Sequence, residues 1–268
     1  MKSFVAYFDL LGYKEFILKN DIQDLHGRIE HILRDMEMAI GVNAGWKTSK
    51  EGYVFPDISK SKILCLNISD TIIFWTKDNT WDSFKELLAV VDRFNWQIIK
   101  INFPVRGIIV FDEMAIETRF YKNEAGGMYN VNCIYGKGLV NAHIKSNNQN
   151  WAGCVIDNSV IEELRQYNYE PVLDEVAVKY KVPYQMKPKK QQPEYVMRLT
   201  KGTLNDIAFK NLKRDIIESF KRDKKSIDHP KVKAKLNNTI KFIESFRETK
   251  NRENWFMKMF RSIFTKNN

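Results

Sequence analysis

Two aspartates and a glycine are the residues of this sequence best placed to do chemistry. Asp9 follows the apolar run Phe4-Val5-Ala6-Tyr7-Phe8, and Gly12 comes three residues later. Asp70 stands between two short, β-branched-rich apolar stretches, 62–68 and 71–75. An aspartate leaving a buried strand toward a helix start can hold a metal ion beside phosphate oxygens. Alone, it is more simply read as a cap on that helix. A second carboxylate on another strand end alters the balance. If the two strands are neighbours, Asp9 and Asp70 suit a two-metal site, where one ion activates an attacking oxygen and the other steadies a phosphate leaving group. Gly12, flanked by Leu11 and Tyr13, offers phosphate a cradle of backbone amides with no side-chain requirement. Arg106, at the start of a later strand, could add a positive charge.

The elements that must position these residues follow from periodicity. Residues 4–9 read as a buried strand, and 21–40 as a helix with apolar residues three and four apart. Residues 41–61, with three glycines and Pro56, read as a loop. The stretches 62–68 and 71–75, separated by Ser69-Asp70, predict a hairpin with Asp70 at its turn. Residues 81–101 predict an amphipathic helix stopped by Pro104, and 105–111 a central strand. Residues 120–133, containing Gly126-Gly127, read as a loop, 134–146 turns helical, and Asp157 caps a helix over 159–167. Residues 172–197 are strand-like, interrupted by a basic loop. From Gly202 the pattern is helical, near 204–220, 230–248 and 254–264, and resembles an appendage. The mixed order predicts an α+β sheet with helices on one face.

Composition bounds the reading. The 268 residues, 44% hydrophobic and 13% aromatic, suffice for one generous domain with an appended piece. Cys65, Cys133 and Cys154 lie far apart and suggest a reducing compartment rather than zinc or disulfides. There is no secretory pattern at the N-terminus and no run of ~18 apolar residues, so the expected location is the cytoplasm. The net charge of +10 is concentrated late in the chain. Without a nucleic-acid motif, it is read as solubility and attraction for phosphates. The face formed by Phe256, Met259, Phe260, Ile263 and Phe264 predicts packing against protein, with membrane contact the less favoured reading.

Four segments carry a resemblance. Phe8-Asp9-Leu10-Leu11-Gly12-Tyr13 resembles the first metal-binding signature of the class III nucleotide cyclases. Ser69-Asp70-Thr71-Ile72-Ile73-Phe74 resembles the second, Val105-Arg106-Gly107-Ile108-Ile109 their next strand, and residues 136–142 their helix-opening segment. The order and spacing hold over roughly residues 1–200. Within that superfamily the chain looks closest to the bacterial branch containing the pyrimidine cyclases of the Pycsar antiphage systems. Arg106-Gly107, residues 136–143 and the late helix at 233–246 carry that likeness.

The resemblance implies a ferredoxin-type α+β cyclase domain over 1–200 and a helical C-terminal extension over 201–268. It implies a homodimer with active sites between subunits, converting a nucleoside triphosphate to a 3′,5′-cyclic monophosphate and pyrophosphate for a downstream effector in phage defence. Two Mg²⁺ or Mn²⁺ ions would be held by Asp9, Asp70 and the Leu10 carbonyl. The family's transition-state Asn and Arg fall on Val140 and Ile144 when counted from Gly136. One residue further on they are Asn141 and Lys145, which are assigned that role with Arg106. The base-reading positions fall near Leu66 and Ile134, where neither adenine- nor guanine-selecting residues stand. UTP is therefore the favoured substrate and CTP the next. The alternatives are an adenylate or guanylate cyclase, or a catalytically silent domain that binds a nucleotide or partner.

Overall fold

The computed structural model describes residues 2–186 and 191–248; the helix anticipated over 254–264 lies outside them. In chain order the elements are β1 (Lys2–Leu10), α1 (Tyr13–Lys19), α2 (Ile22–Ile40), β2 (Trp46–Thr48), β3 (Val54–Pro56), β4 (Ile63–Ile68), β5 (Thr71–Thr76) and α3 (Trp81–Gln97). There follow β6 (Val105–Glu113), β7 (Ala115–Lys122), β8 (Met128–Tyr135), α4 (Lys137–Asn148), β9 (Gly153–Ile156) and α5 (Asn158–Gln166). The remainder is α6 (Leu173–Val176), β10 (Ala177–Tyr180), β11 (Glu194–Met197), α7 (Asp206–Lys221) and α8 (Pro230–Glu244).

Seven strands form one sheet in the order β10-β11-β9-β6-β1-β5-β4. All its neighbours are antiparallel except β6 and β9. This is the α+β architecture that the sequence predicted, but the helices cover both faces of the sheet, α3 one and α4 the other, rather than a single face. β1 lies between β5 and β6 and is buried on both faces, which is why its apolar run is continuous rather than alternating. Phe4 and Phe8 point to the α3 side, against Phe84 and Phe94 at ring distances of 4.5 and 4.9 Å. Tyr7 and Asp9 therefore point to the other side, where α4 lies. Side chains cap the helices: Asp21 accepts from the Gln23 and Asp24 amides, Thr80 from Ser83, and Asp157, the cap the sequence predicted, from Ser159.

Several expected boundaries differ. Residues 120–133 are not a loop. They belong to the two-stranded β7–β8 ribbon, closed at its tip by Asn123, whose Oδ1 accepts from the Gly127 amide at 2.7 Å. Most of the ribbon is exposed, so it shows no alternation of apolar and polar residues to read. The predicted loop over 41–61 contains the short β2–β3 pair. The helix expected to reach residue 101 changes to a π-helical turn at Ile98–Asn102. Among the described residues between 172 and 197, β10 and β11 are the strands, and a short helix, α6, precedes them.

α7 and α8 contribute to the same core as the sheet. Phe242 of α8 meets Trp151 edge-on, 4.8 Å between ring centroids, and packs against Tyr180 at the same distance. Thr239 accepts from the Ala152 amide at 2.8 Å, and Asn238 donates to the Asn150 carbonyl at 2.8 Å. Among the described residues, no helix is long and apolar enough to cross a membrane.

Candidate active site

The end of β1 is drawn together by short backbone contacts. The Leu10 amide donates to the Asp70 carbonyl at 2.8 Å, and the Leu11 amide to Pro104 at 2.8 Å. Ser69, at φ 56°, supplies the left-handed residue that lets β4 turn into β5 within two positions. Asp9 stands opposite Thr71 of β5 and Arg106 of β6. The sheet thus brings Asp9 and Asp70 to the same end of adjacent strands, as their spacing suggested.

Arg106 donates from Nε to Asp9 Oδ2 at 2.8 Å, and the pair is well sheltered, 13% and 15% exposed at the side chains. Its other nitrogens are taken by Asn147, through the carbonyl at 3.1 Å and through Oδ1. Asn147 in turn meets His143 Nε2 at 2.8 Å, His143 Nδ1 meets the Tyr7 hydroxyl at 2.9 Å, and that hydroxyl lies 3.3 Å from Thr71 Oγ1. The guanidinium is thereby fixed in place by a network crossing β1, β5, β6 and α4. Burial holds the Asp9 carboxyl above the usual carboxylate range; Arg106 opposes this, while the charge of Asp70 adds to it. Burial likewise raises the Tyr7 phenol, against the bond from Thr71, with Asp9 and Asp70 adding to the rise.

Gly107 leaves room for a ring from the neighbouring strand. A Cβ there would sit 2.4 Å from the Phe8 ring, which crosses it from the neighbouring strand. Gly12 turns the chain into α1 at φ 84°, and a Cβ would lie 3.0 Å from Lys225 Cδ. Tyr13 follows, half-buried against Phe16.

The other assigned residues are dispersed. Asn141 and Lys145 lie on α4, two residues out of step with His143 and Asn147, and so face about 200° away from the Arg106 network. Asn141 donates to Asp112 Oδ2 at 3.0 Å, and Lys145 pairs with Asp157. Leu66 of β4 lies opposite Ile73, which lies opposite Tyr7, so it shares the Asp9 face of the sheet. Ile134 lies on β8 opposite Ile116. Its ribbon leaves β6 at the Glu113 end, about 20 Å along the strand from Arg106. Within one chain, Ile134, Asn141 and Lys145 are not brought to Asp9. Sequence reasoning missed Tyr7 and Asn147, although the four-residue spacing of His143 and Asn147 was available as a signal.

The residues present fit a hard divalent cation. Asp9 and Asp70 offer carboxylate oxygens, and their mutual electrostatic cost is what a cation would relieve. Among the described residues, no group of three or more His, Cys, Asp or Glu gathers as a metal cage. Two carboxylates with open positions suit Mg²⁺ or Mn²⁺, which keep water or substrate phosphate as further ligands, rather than zinc.

No protein-family model matches this sequence, and no curated protein matches it. Solved structures resemble it at low identity. One is the guanylate cyclase domain of RhGC from Catenaria anguillulae in complex with GTP: 9% identity, 74% of this chain and 96% of that one, TM-score 0.45. Another is the catalytic core of a rhodopsin-guanylyl cyclase with converted specificity, in complex with ATPαS: 10% identity, 73% and 94% coverage, TM-score 0.47. A third is the non-canonical dimeric guanylyl cyclase domain of the RhoGC fusion protein from Blastocladiella emersonii: 11% identity, 73% and 93% coverage, TM-score 0.45.

Proposed function

We propose that this chain is a metal-dependent nucleotide cyclase, acting on a pyrimidine nucleoside triphosphate, UTP before CTP. The reaction is in-line attack of the ribose 3′-oxygen on the α-phosphorus, with pyrophosphate leaving. The observation that carries the reading is the pairing of Asp9 and Asp70 at one end of β1 and the β4–β5 turn, electrostatically coupled and beside Arg106. Mg²⁺ or Mn²⁺, when bound, would lower the pKa of the 3′-hydroxyl and screen the phosphate charge. Asp9, Asp70 and the Leu10 carbonyl would hold it. The apolar Leu66 and Ile134, where purine-selecting cyclases carry polar readers, support a pyrimidine. The role in phage defence and the downstream effector rest on the sequence resemblance alone.

A second copy of the chain is the partner this reading requires, since Asn141 and Lys145 face away from Asp9 in their own subunit. The exposed apolar residues favour such pairing. Val140 and Ile144 on α4 are 57% and 60% exposed, and Ile68, on the Asp9 face of the edge strand β4, is 55% exposed. The second reading is a nucleotide-binding domain without turnover, favoured by Arg106 being fully engaged by Asp9 and Asn147. Incubating the protein with each of the four ribonucleoside triphosphates and Mn²⁺, and resolving the products, tests both. Cyclic UMP or cyclic CMP is the expected product. Cyclic AMP or cyclic GMP alone would reject the pyrimidine assignment, and no product with retained binding would favour the silent domain.

A further inference from the structure

The C-terminal helix α8 passes close to the Asp9 end of the sheet, although nothing in the cyclase-like segment requires it. A small cavity of about 60 Å³ separates them, lined by Leu11, Gly12, Glu15, Pro104, Lys225 and Lys235 among others. At ~30 Å³ per water in the liquid, it admits a phosphate-sized group but not a nucleoside. Lys235 is half-buried and makes no ion pair or side-chain hydrogen bond among the described residues. Burial and the charge of Arg106 hold its ammonium below the ordinary lysine value, and the charge of Asp9 opposes them. Lys235 is thus within electrostatic reach of both members of the Asp9–Arg106 pair. Lys225, on the connection between α7 and α8, forms another part of the wall; its ammonium is buried with no hydrogen-bond partner. The Lys235 ammonium stands here with the Glu15 carboxylate, which is already engaged by Lys19 and the Ser226 amide, while the Lys225 nitrogen lies 3.8 Å from Asp223 and against the Phe103 ring. A cavity of this size and charge suits a multiply charged oxyanion.

We infer that Lys235 of α8 binds the terminal phosphates of a polyphosphate ligand in the cavity beside Gly12, making the C-terminal helices part of the binding site. The inference rests on the proposed function for the identity of the substrate but not for the existence of the anion site. Lysine suits the role, because a flexible stem carrying a compact charge can follow a phosphate that must later leave. The cavity beside the Gly12 turn admits the end of a polyphosphate chain while a nucleoside stays outside.

The test is binding of inorganic tripolyphosphate with Mg²⁺ to the full chain, measured by calorimetry. Wild type, Lys235→Gln, Lys235→Arg and Lys233→Gln would be compared, the last neutralising an exposed lysine on the same helix. Lys235→Gln should weaken binding roughly 10- to 100-fold, in line with one charge-assisted contact. Lys235→Arg should recover most of that loss, Lys233→Gln should leave binding within about twofold, and all four proteins should melt alike. Equal weakening by Lys235→Gln and Lys233→Gln, or no measurable binding to wild type, would overturn the inference. The two readings can fail separately. Lys235-dependent binding of tripolyphosphate by a protein that cyclises no nucleotide would leave the site standing without the cyclase. Turnover with a KM unchanged in Lys235→Gln would do the reverse.

Discussion

Replacing Lys225 with methionine isolates the cost of keeping a charge beneath the Gly12 turn. The Lys225 side chain is 3% exposed, and its Nζ lies 3.6 Å from the Phe103 ring centroid. Its nearest carboxylate oxygen, on Asp223, is 3.8 Å away. Burial pushes its pKa from 10.5 down to about 7; Asp223 and Glu15 raise it, while Arg28 and Arg222 lower it further. Below pH 7 the ammonium is protonated in both folded and unfolded chains, and the folded state bears the full desolvation cost. Between about 7 and 10.5 the unfolded chain keeps a proton that the folded chain has released, so unfolding free energy rises with pH. At 1.36 kcal/mol per decade of proton affinity, the whole interval is worth on the order of 5 kcal/mol, and the part between pH 6 and pH 9 about 2.5 kcal/mol. Lys225→Met keeps the length and apolar body of the side chain, so the other titrating groups cancel when the two proteins are compared. The assay is urea denaturation of both at half-unit intervals from pH 6 to pH 9. Lys225→Met should be the more stable at pH 6, by a margin that shrinks by about 2.5 kcal/mol at pH 9. A difference constant to within about 0.5 kcal/mol across that range would show that Lys225 is not held as an ammonium in an apolar site.

The metal reading predicts a separation of effects at the two aspartates. Asp9→Asn and Asp70→Asn should each abolish the rise in melting temperature caused by millimolar Mn²⁺, but only Asp9→Asn should destabilise the metal-free protein, by about 1.5–3 kcal/mol, because it strips Arg106 of its charged partner. An Asp70→Asn variant that still responds to Mn²⁺ as wild type does would remove that residue from the site. The docking of α8 predicts that Trp151→Ala costs about 3–5 kcal/mol in urea unfolding. Trp151 is fully buried between Tyr180 and Phe242, and its Nε1 donates to Gln149 Oε1 at 2.9 Å. A loss below about 1 kcal/mol would mean that α8 is not anchored there.

What the sequence could reveal of this fold depends on how far each signal reaches along the chain. β1 and the β4–β5 hairpin were legible because their evidence is local: an unbroken apolar run marks a strand covered on both faces, and Ser69-Asp70 between two β-branched stretches leaves room only for a turn. The convergence of Asp9 with Asp70 then follows from β1 pairing with β5, a single neighbour relation. The β7–β8 ribbon was illegible for the opposite reason. Residues such as Phe120, Tyr121, Met128 and Tyr129 are exposed, so no buried face imposes a period of two, and the Gly126-Gly127 tip dominates the local signal. On α4 the helix was evident, but the face it turns to the sheet was not. Val140, Asn141, His143, Ile144, Lys145 and Asn147 span every direction around the axis. Only docking on β1 and β6 selects His143 and Asn147 for the Arg106 network. Lys235 lay deepest, because its amphipathic helix could be read while its neighbours could not. Asp9 and Lys235 are held near one another by Trp151, Phe242 and the bond from Ala152 to Thr239, contacts that span almost 90 positions of chain and leave no trace in local pattern. The acidic pair in this molecule is therefore written near the N-terminus, and the lysine that stands beside it comes from a C-terminal helix far away in sequence.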